Sequence, residues 1–270
     1  MLAIAALLLT GCGGPGPSPV GSSAPTTSVA TTPSPQPSAS TDAEKTCLSV
    51  APPGVKTEDV SLRAADGVRL NAIAVGTGPR GVVLLHQTDN GLCGWLPYAY
   101  RLAGLDFHVL AFDYRCTFGS NCPDGEKQNN LRGDVDAAVT ALRRSGATQV
   151  SLVGASLGGA VAIGTCAVVK ADRCVALSAA IFDRKLGGGL TANKAVGTLR
   201  KPLLFAVAPD DPDSPIDEDR ALVARAPKGV VTFVELPAGA GHGWDTVVPP
   251  GDPSTPSAFA AQLEDFLRGR

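Results

Sequence analysis

Val150-Ser151-Leu152-Val153-Gly154-Ala155-Ser156-Leu157-Gly158-Gly159 decides the fold. An apolar run with strand composition leads straight into Gly-x-Ser-x-Gly, and an Ala/Val-rich helix start follows. A serine hydroxyl is a poor nucleophile until a base takes its proton and a sharp turn exposes it. The flanking glycines are what such a turn needs, because a Cβ at either position would clash where strand meets helix. The pentapeptide alone is a weak signal in a chain with 31 glycines. Its weight comes from the strand before it and from the partners that follow it.

Working outward, continuous Val/Leu/Ala runs recur at 81–85, 108–113, 149–154, 174–178, 203–208 and 230–236. Runs without alternation suit strands covered on both faces, as in a parallel sheet. Helical patterns lie between them. Residues 134–144 form an amphipathic segment ending at Gly146, and residues 257–268 carry Phe259, Leu263, Phe266 and Leu267 on one stripe. Asp66-Gly67 predicts a hairpin between two early strands. The expected fold class is α/β, a mostly parallel central sheet with helices on both faces. The stretch between Ser178 and Pro202 is short and broken by Gly187-Gly188-Gly189, so no large cap domain fits there and the site should be open. That triglycine follows no strand and lacks a Lys-Ser/Thr ending, so it reads as a flexible loop and not as a phosphate cradle. Trp95, Tyr98, Phe118 and Trp244 are candidates to line the site, each equally suited to the core.

The chain has three histidines. His108 sits in the apolar run 107–112 and reads as a packed or strand-end residue. His86 follows a strand but precedes the serine. His242, in Gly239-Ala240-Gly241-His242-Gly243-Trp244 after the last strand, is free to point into a cleft and is the candidate general base. The orienting acid should come from Pro209-Asp210-Asp211-Pro212-Asp213-Ser214-Pro215, after the strand at 203–208. Asp211 is the first choice and Asp210 the second. The competing role for these carboxylates is to make turns and to cap the helix near 217–219.

The order Ser156…Asp211…His242 is that of the α/β-hydrolase superfamily, and residues 55–270 resemble a small member of it, nearest in style to dienelactone hydrolase-like esterases. Leu84-Leu85-His86-Gln87-Thr88 resembles the family's strand followed by His-Gly, whose next residue donates an N–H to the oxyanion. Gln87 stands where the family usually has glycine, which leaves that donor open between Gln87 and Thr88. The resemblance implies Leu157 as the other donor, and His86 as a residue that shapes the loop. It implies an acyl-enzyme mechanism on carboxylic esters, with small-molecule or lipid esters as substrates. That chemistry requires no cofactor and no metal.

The N-terminal stretch Leu2–Leu9 is apolar but too short to span a bilayer. It ends in Leu9-Thr10-Gly11-Cys12, which resembles the bacterial lipobox. That resemblance implies a signal peptide over residues 1–11 and a lipidated Cys12 held on the outer face of the bacterial cytoplasmic membrane. No basic residue separates Met1 from the apolar stretch, which is consistent with a start a few basic residues upstream. Residues 12–46 are rich in Pro, Ser and Thr and carry almost no hydrophobic mass, so a disordered tether is expected before a catalytic domain over 47–270.

Setting Cys12 aside, the remaining cysteines are Cys47, Cys93, Cys116, Cys122, Cys166 and Cys174. An even number in an exported chain suggests disulfides. Proximity favours Cys116–Cys122 and Cys166–Cys174, and elimination leaves Cys47–Cys93. None of the spacings makes a usual zinc cluster. A net charge of −2 offers no basic surface for nucleic acid. Oligomeric state is not legible. Two other functions fit the same residues: acyl transfer to cell-envelope lipids or glycans by the same triad, and a binding lipoprotein that keeps the fold without turnover. Dehalogenation is disfavoured because the nucleophile position is serine.

Overall fold

The computed structural model describes residues 55–249 and 255–270. The predicted signal peptide, Cys12, the tether and Cys47 lie outside the described residues.

Eight strands form one sheet: β1 (Thr57–Arg63), β2 (Arg69–Val75), β3 (Arg80–Leu85), β4 (Phe107–Phe112), β5 (Gln149–Ala155), β6 (Arg173–Leu177), β7 (Leu203–Val207) and β8 (Val231–Glu235). Their order is β1-β2-β4-β3-β5-β6-β7-β8. β1 and β2 pair antiparallel, β2 joins β4 antiparallel, and every later pairing is parallel. The predicted hairpin closes at Gly67, whose φ of 90° is the left-handed conformation that glycine adopts without strain. Each of the six strands expected from apolar runs is present, shifted by a residue at most ends. β8 differs in environment. It is an edge strand and its residues are half-buried or exposed, because among the described residues no strand covers its outer side.

The helices are α1 (Leu96–Gly104), α2 (Leu131–Arg144), α3 (Leu157–Thr165), the single turn α4 (Ala192–Ala195), α5 (Ile216–Val223) and α6 (Ala258–Arg268). Alternate residues of a strand point to opposite faces, and the core divides accordingly. Val83 and Leu85 of β3 join the cluster under α2, α3 and α5, while Val82 and Leu84 join the cluster under α1 and α6. α2 begins three residues earlier than its periodicity predicts, because Asn130 Oδ1 accepts the Gly133 N–H and caps it. α6 is capped by Ser257 and stops at Gly269. Among the described residues no helix is long and apolar enough to cross a membrane.

Two disulfides are formed as predicted from proximity. Cys116–Cys122 closes the loop after β4, and Cys166–Cys174 ties the end of α3 to β6. Cys93 is also disulfide-bonded. A buried ion cluster holds the hairpin to α2. Arg115, with no exposed side-chain surface, meets Asp134 at 2.7 Å and Asp66 at 2.7 Å. The guanidinium holds the Asp66 carboxyl down at about 2. Asp66 is thus both a turn residue and the second carboxylate of this cluster.

Candidate active site

Ser156 occupies the joint between β5 and α3, with φ 51° and ψ −115°. A non-glycine residue in that conformation is strained, and such strain persists only where the surroundings fix it. Three backbone bonds do so. Ser156 N–H donates to Leu177 O at 2.9 Å, and Ser156 O accepts from Ala160 and from Ala180, each at 3.2 Å. The Ser156 hydroxyl does not cap the helix it precedes, although serine commonly does.

The two glycines of the pentapeptide are required by space. A Cβ on Gly154 would lie 1.9 Å from Gly158 O, and one on Gly158 would lie 2.1 Å from Leu85 O. The helix therefore starts in direct contact with the end of β3. Leu157 is its first residue, and the first N–H groups of a helix have no partner within it. That places a donor beside the serine.

Asp211 follows β7 and its side chain is fully buried. Both of its carboxylate oxygens lie 2.9 Å from His242 Nδ1, and Oδ1 also accepts the Asp213 N–H at 3.0 Å. Asp210 points elsewhere. Both of its oxygens accept the Gly239 N–H at 3.0 Å, which anchors the start of the histidine loop. The adjacent aspartates thus divide the work, one holding the loop and the other the imidazole. An acceptor at Nδ1 leaves Nε2 as the unprotonated ring nitrogen. The loop packs at Gly243 against the end of β5 and the loop after β3, where a Cβ would lie 3.2 Å from the Ala155 methyl and 2.1 Å from Gln87 Oε1. The residue after the histidine thus packs on the residue before the serine.

Asp211, Asp213 and His242 place one potential ligand atom each within 4.8 Å of one another. Nδ1 and Asp211 are already committed to each other, so a cation there would displace a shared proton instead of entering a ready cage.

His86 is buried and both its ring nitrogens are in use. Nε2 accepts the Tyr114 N–H at 3.2 Å, so Nδ1 carries the proton and donates to Gln87 O. Burial pushes its pKa down, which keeps it neutral. In a trans peptide the C=O and N–H point opposite ways. Fixing Gln87 O therefore fixes the Thr88 N–H, aimed away from His86. Gln87 itself is buried and Thr88 exposed.

Of the four lining candidates, Trp95 and Tyr98 have no exposed surface and belong to the core. Trp244 packs edge-on against Trp95 at 5.9 Å and is only 7% exposed. Phe118 differs, at 58% exposed, with its ring edge-on to His86 at 5.8 Å. Sequence reasoning missed its counterpart Ile181, which is 55% exposed. It sits one residue beyond Ala180, whose N–H holds Ser156. Both have positive φ, 42° and 59°. Phe118 follows β4 and Ile181 follows β6, and β3 and β5 lie between those strands. Phe118 and Ile181 thus come from loops on either side of the strands that carry His86 and Ser156. The triglycine forms a turn in which all three φ values are positive, closed by Leu186 N–H to Leu190 O at 3.0 Å.

Residues 82–269 match the model of the alpha/beta hydrolase family. The chain belongs to that family. Solved structures agree on the fold of this hydrolase. An esterase from Pyrococcus furiosus is similar at 20% identity and a TM-score of 0.64, over 80% of this chain and 91% of that one. The alpha/beta hydrolase GrgF from a Penicillium species is similar at 15% identity and 0.64, over 79% and 98%. A thermophilic esterase from Thermogutta terrifontis is similar at 16% identity and 0.57, over 79% and 97%.

Proposed function

We propose that this hydrolase is a serine esterase that cleaves carboxylic esters through an acyl-enzyme. The observation that carries the reading is the pairing of His242 Nδ1 with the buried Asp211, on a loop that packs against Ala155, the residue before Ser156. His242 Nε2 takes the Ser156 proton, and Ser156 Oγ attacks the ester carbonyl. Asp211 keeps the tautomer and stabilises the imidazolium that forms. The oxyanion is received by the Leu157 and Thr88 N–H groups, the second oriented through His86, and each such donor is worth roughly 10²–10³ in rate. His242 then returns the proton to the leaving alcohol, and water removes the acyl group by the reverse path.

Phe118 and Ile181 support esters with apolar groups on one or both sides of the carbonyl. No cap is needed for such substrates. We further propose, on the Leu9-Thr10-Gly11-Cys12 motif, that the domain is displayed from a membrane through lipid on Cys12. One comparison tests the catalytic reading. Ser156→Ala should fold with an unchanged far-UV spectrum, lose hydrolysis of p-nitrophenyl acetate and butyrate, and lose labelling by a fluorophosphonate probe. Labelling of the alanine variant equal to the parent would remove Ser156 as nucleophile.

A further inference from the structure

Beneath the loop that carries Asp211, three oxygens form a short line. Ser214 Oγ lies 2.9 Å from the Ala179 carbonyl oxygen and 2.9 Å from Asp219 Oδ2. Ser214 and Asp219 are both buried, and no step of the acyl-enzyme cycle uses either. A serine hydroxyl has one hydrogen, and a backbone carbonyl only accepts. Were Asp219 a carboxylate, that hydrogen would face two acceptors, and one of the two contacts would set lone pair against lone pair. With a proton on Asp219 the line closes. Asp219 O–H donates to Ser214 Oγ, and Ser214 O–H donates to Ala179 O.

The other oxygen gives the same answer. Asp219 Oδ1 is buried without a hydrogen-bond partner. A neutral acid leaves a carbonyl oxygen there, whereas a carboxylate would leave unsolvated charge, which is far more costly. The charged groups facing Asp219 are Glu218 on its own helix, Asp211 on the acid loop and His242 on the histidine loop. Burial, helped by the two carboxylates, outweighs the Ser214 hydrogen bond and the imidazole and pushes the Asp219 carboxyl up to about 7.

We propose that Asp219 works as an un-ionised carboxylic acid, a positioning residue that holds the acid loop, through Ser214, against the segment bracing Ser156. The line ends on Ala179. The next residue, Ala180, donates its N–H to Ser156 O at 3.2 Å. Ala179 also backs onto α3, where a Cβ on Gly159 would lie 2.8 Å from its methyl. The carboxylate that orients the base and the backbone that strains the nucleophile are thus referenced to each other by two hydrogen bonds. The neutral state also leaves His242 facing one buried carboxylate instead of two. This assignment rests on Asp211 as the orienting acid, but the protonation of Asp219 can be measured without it.

Infrared difference spectroscopy of the full chain, parent minus Asp219→Asn, should show the carbonyl stretch of a protonated carboxyl at pH 6 that is gone by pH 9. Absence of that band at pH 6 overturns the proposal. Hydrolysis of p-nitrophenyl acetate is then followed from pH 5.5 to 9. Asp219→Leu should lose about tenfold in kcat with little change in KM, short of the ~10² that a 1 Å misplacement costs. Asp219→Asn, whose amide can still donate to Ser214, should restore most of the loss at pH 6. The parent should decline on the alkaline side as Asp219 ionises, and Asp219→Asn should not. Superimposable pH profiles for parent and Asp219→Asn overturn the positioning role, even if the leucine variant does not fold. If the parent hydrolyses no ester, the catalytic reading fails, and the infrared band alone decides the state of Asp219.

Discussion

Replacing Gly158 by alanine puts a methyl group where α3 touches the end of β3. The new Cβ would sit 2.1 Å from Leu85 O, 2.7 Å from Leu85 C and 2.9 Å from His86 O. All three are backbone atoms, so no side chain can swing away. Leu85 pairs with Phe112 on one side and Gly154 on the other, in the middle of the sheet, and cannot move alone. Real Cβ atoms essentially never come within 3.0 Å of such atoms, so α3 must retreat by about 1 Å. That retreat carries Leu157 N–H and Ser156 away from the Thr88 N–H. Overpacking of this kind costs typically 1–3 kcal/mol in stability. Its effect on catalysis is larger, because a misplacement of about 1 Å removes roughly 10² in rate. The assay is kcat for p-nitrophenyl acetate beside the melting temperature. Gly158→Ala should melt a few degrees lower, by roughly 2–4 °C per kcal/mol in a domain of this size, yet lose about 100-fold in kcat. Gly104→Ala, at a helix end where a Cβ meets nothing within 4 Å, should leave both unchanged. A kcat for Gly158→Ala within threefold of the parent would refute the view that this contact sets the oxyanion geometry.

Arg115→Met should destabilise the domain by about 3–5 kcal/mol, because it strands the buried Asp134 carboxylate. Urea unfolding at pH 7 measures it, and a loss under 1 kcal/mol would mean the cluster is dispensable. Asp219 ionises near 3.8 when unexposed to the fold and at about 7 within it. Between those values the native state holds the extra proton, so stability falls as pH rises from about 4 to 7 and then levels, by at most roughly 4 kcal/mol. Asp219→Asn should therefore melt higher than the parent at pH 8 and no higher at pH 4; the opposite order would contradict a raised carboxyl. Phe118→Ala and Ile181→Ala should barely alter acetate turnover but lower kcat/KM for longer acyl or alkyl chains by about tenfold or less each, the worth of one or two methylenes. An unchanged chain-length panel would remove both from the substrate path.

What was legible in the sequence follows from which interactions are local. β5, the joint at Ser156 and α3 are contiguous, so the Gly-x-Ser-x-Gly run carries its own geometry. The apolar runs announce the strands because a sheet covered on both faces needs unbroken hydrophobic segments. The edge environment of β8 was not visible, since nothing in residues 230–236 records that no strand lies beyond it. The spacing of Asp211 before Ser214-Pro215 favours it over Asp210 but does not tell what each carboxylate does. Gly239, 29 residues away, takes one of them and His242 the other. Trp95 and Tyr98 resembled site residues because aromatics serve cores and clefts equally well. Ile181 left no trace, because an exposed isoleucine on a strained backbone looks in sequence like any other loop residue. The Asp219–Ser214–Ala179 line joins three segments and was beyond reach of any local pattern. The sequence hint was only that Asp219 lies in an acidic helix start, where a solvated residue would be expected.

Cys116 and Cys122 enclose Phe118 in a ring of few residues. A link across so short a loop limits the unfolded chain by only about 2 kcal/mol, so the sheet should outlast its reduction. The part left untethered would be the segment that carries the exposed Phe118 ring beside His86. A reducing milieu should therefore blur which esters are preferred well before it unfolds the scaffold, and assays run with and without dithiothreitol would be sampling different selectivities of one catalyst.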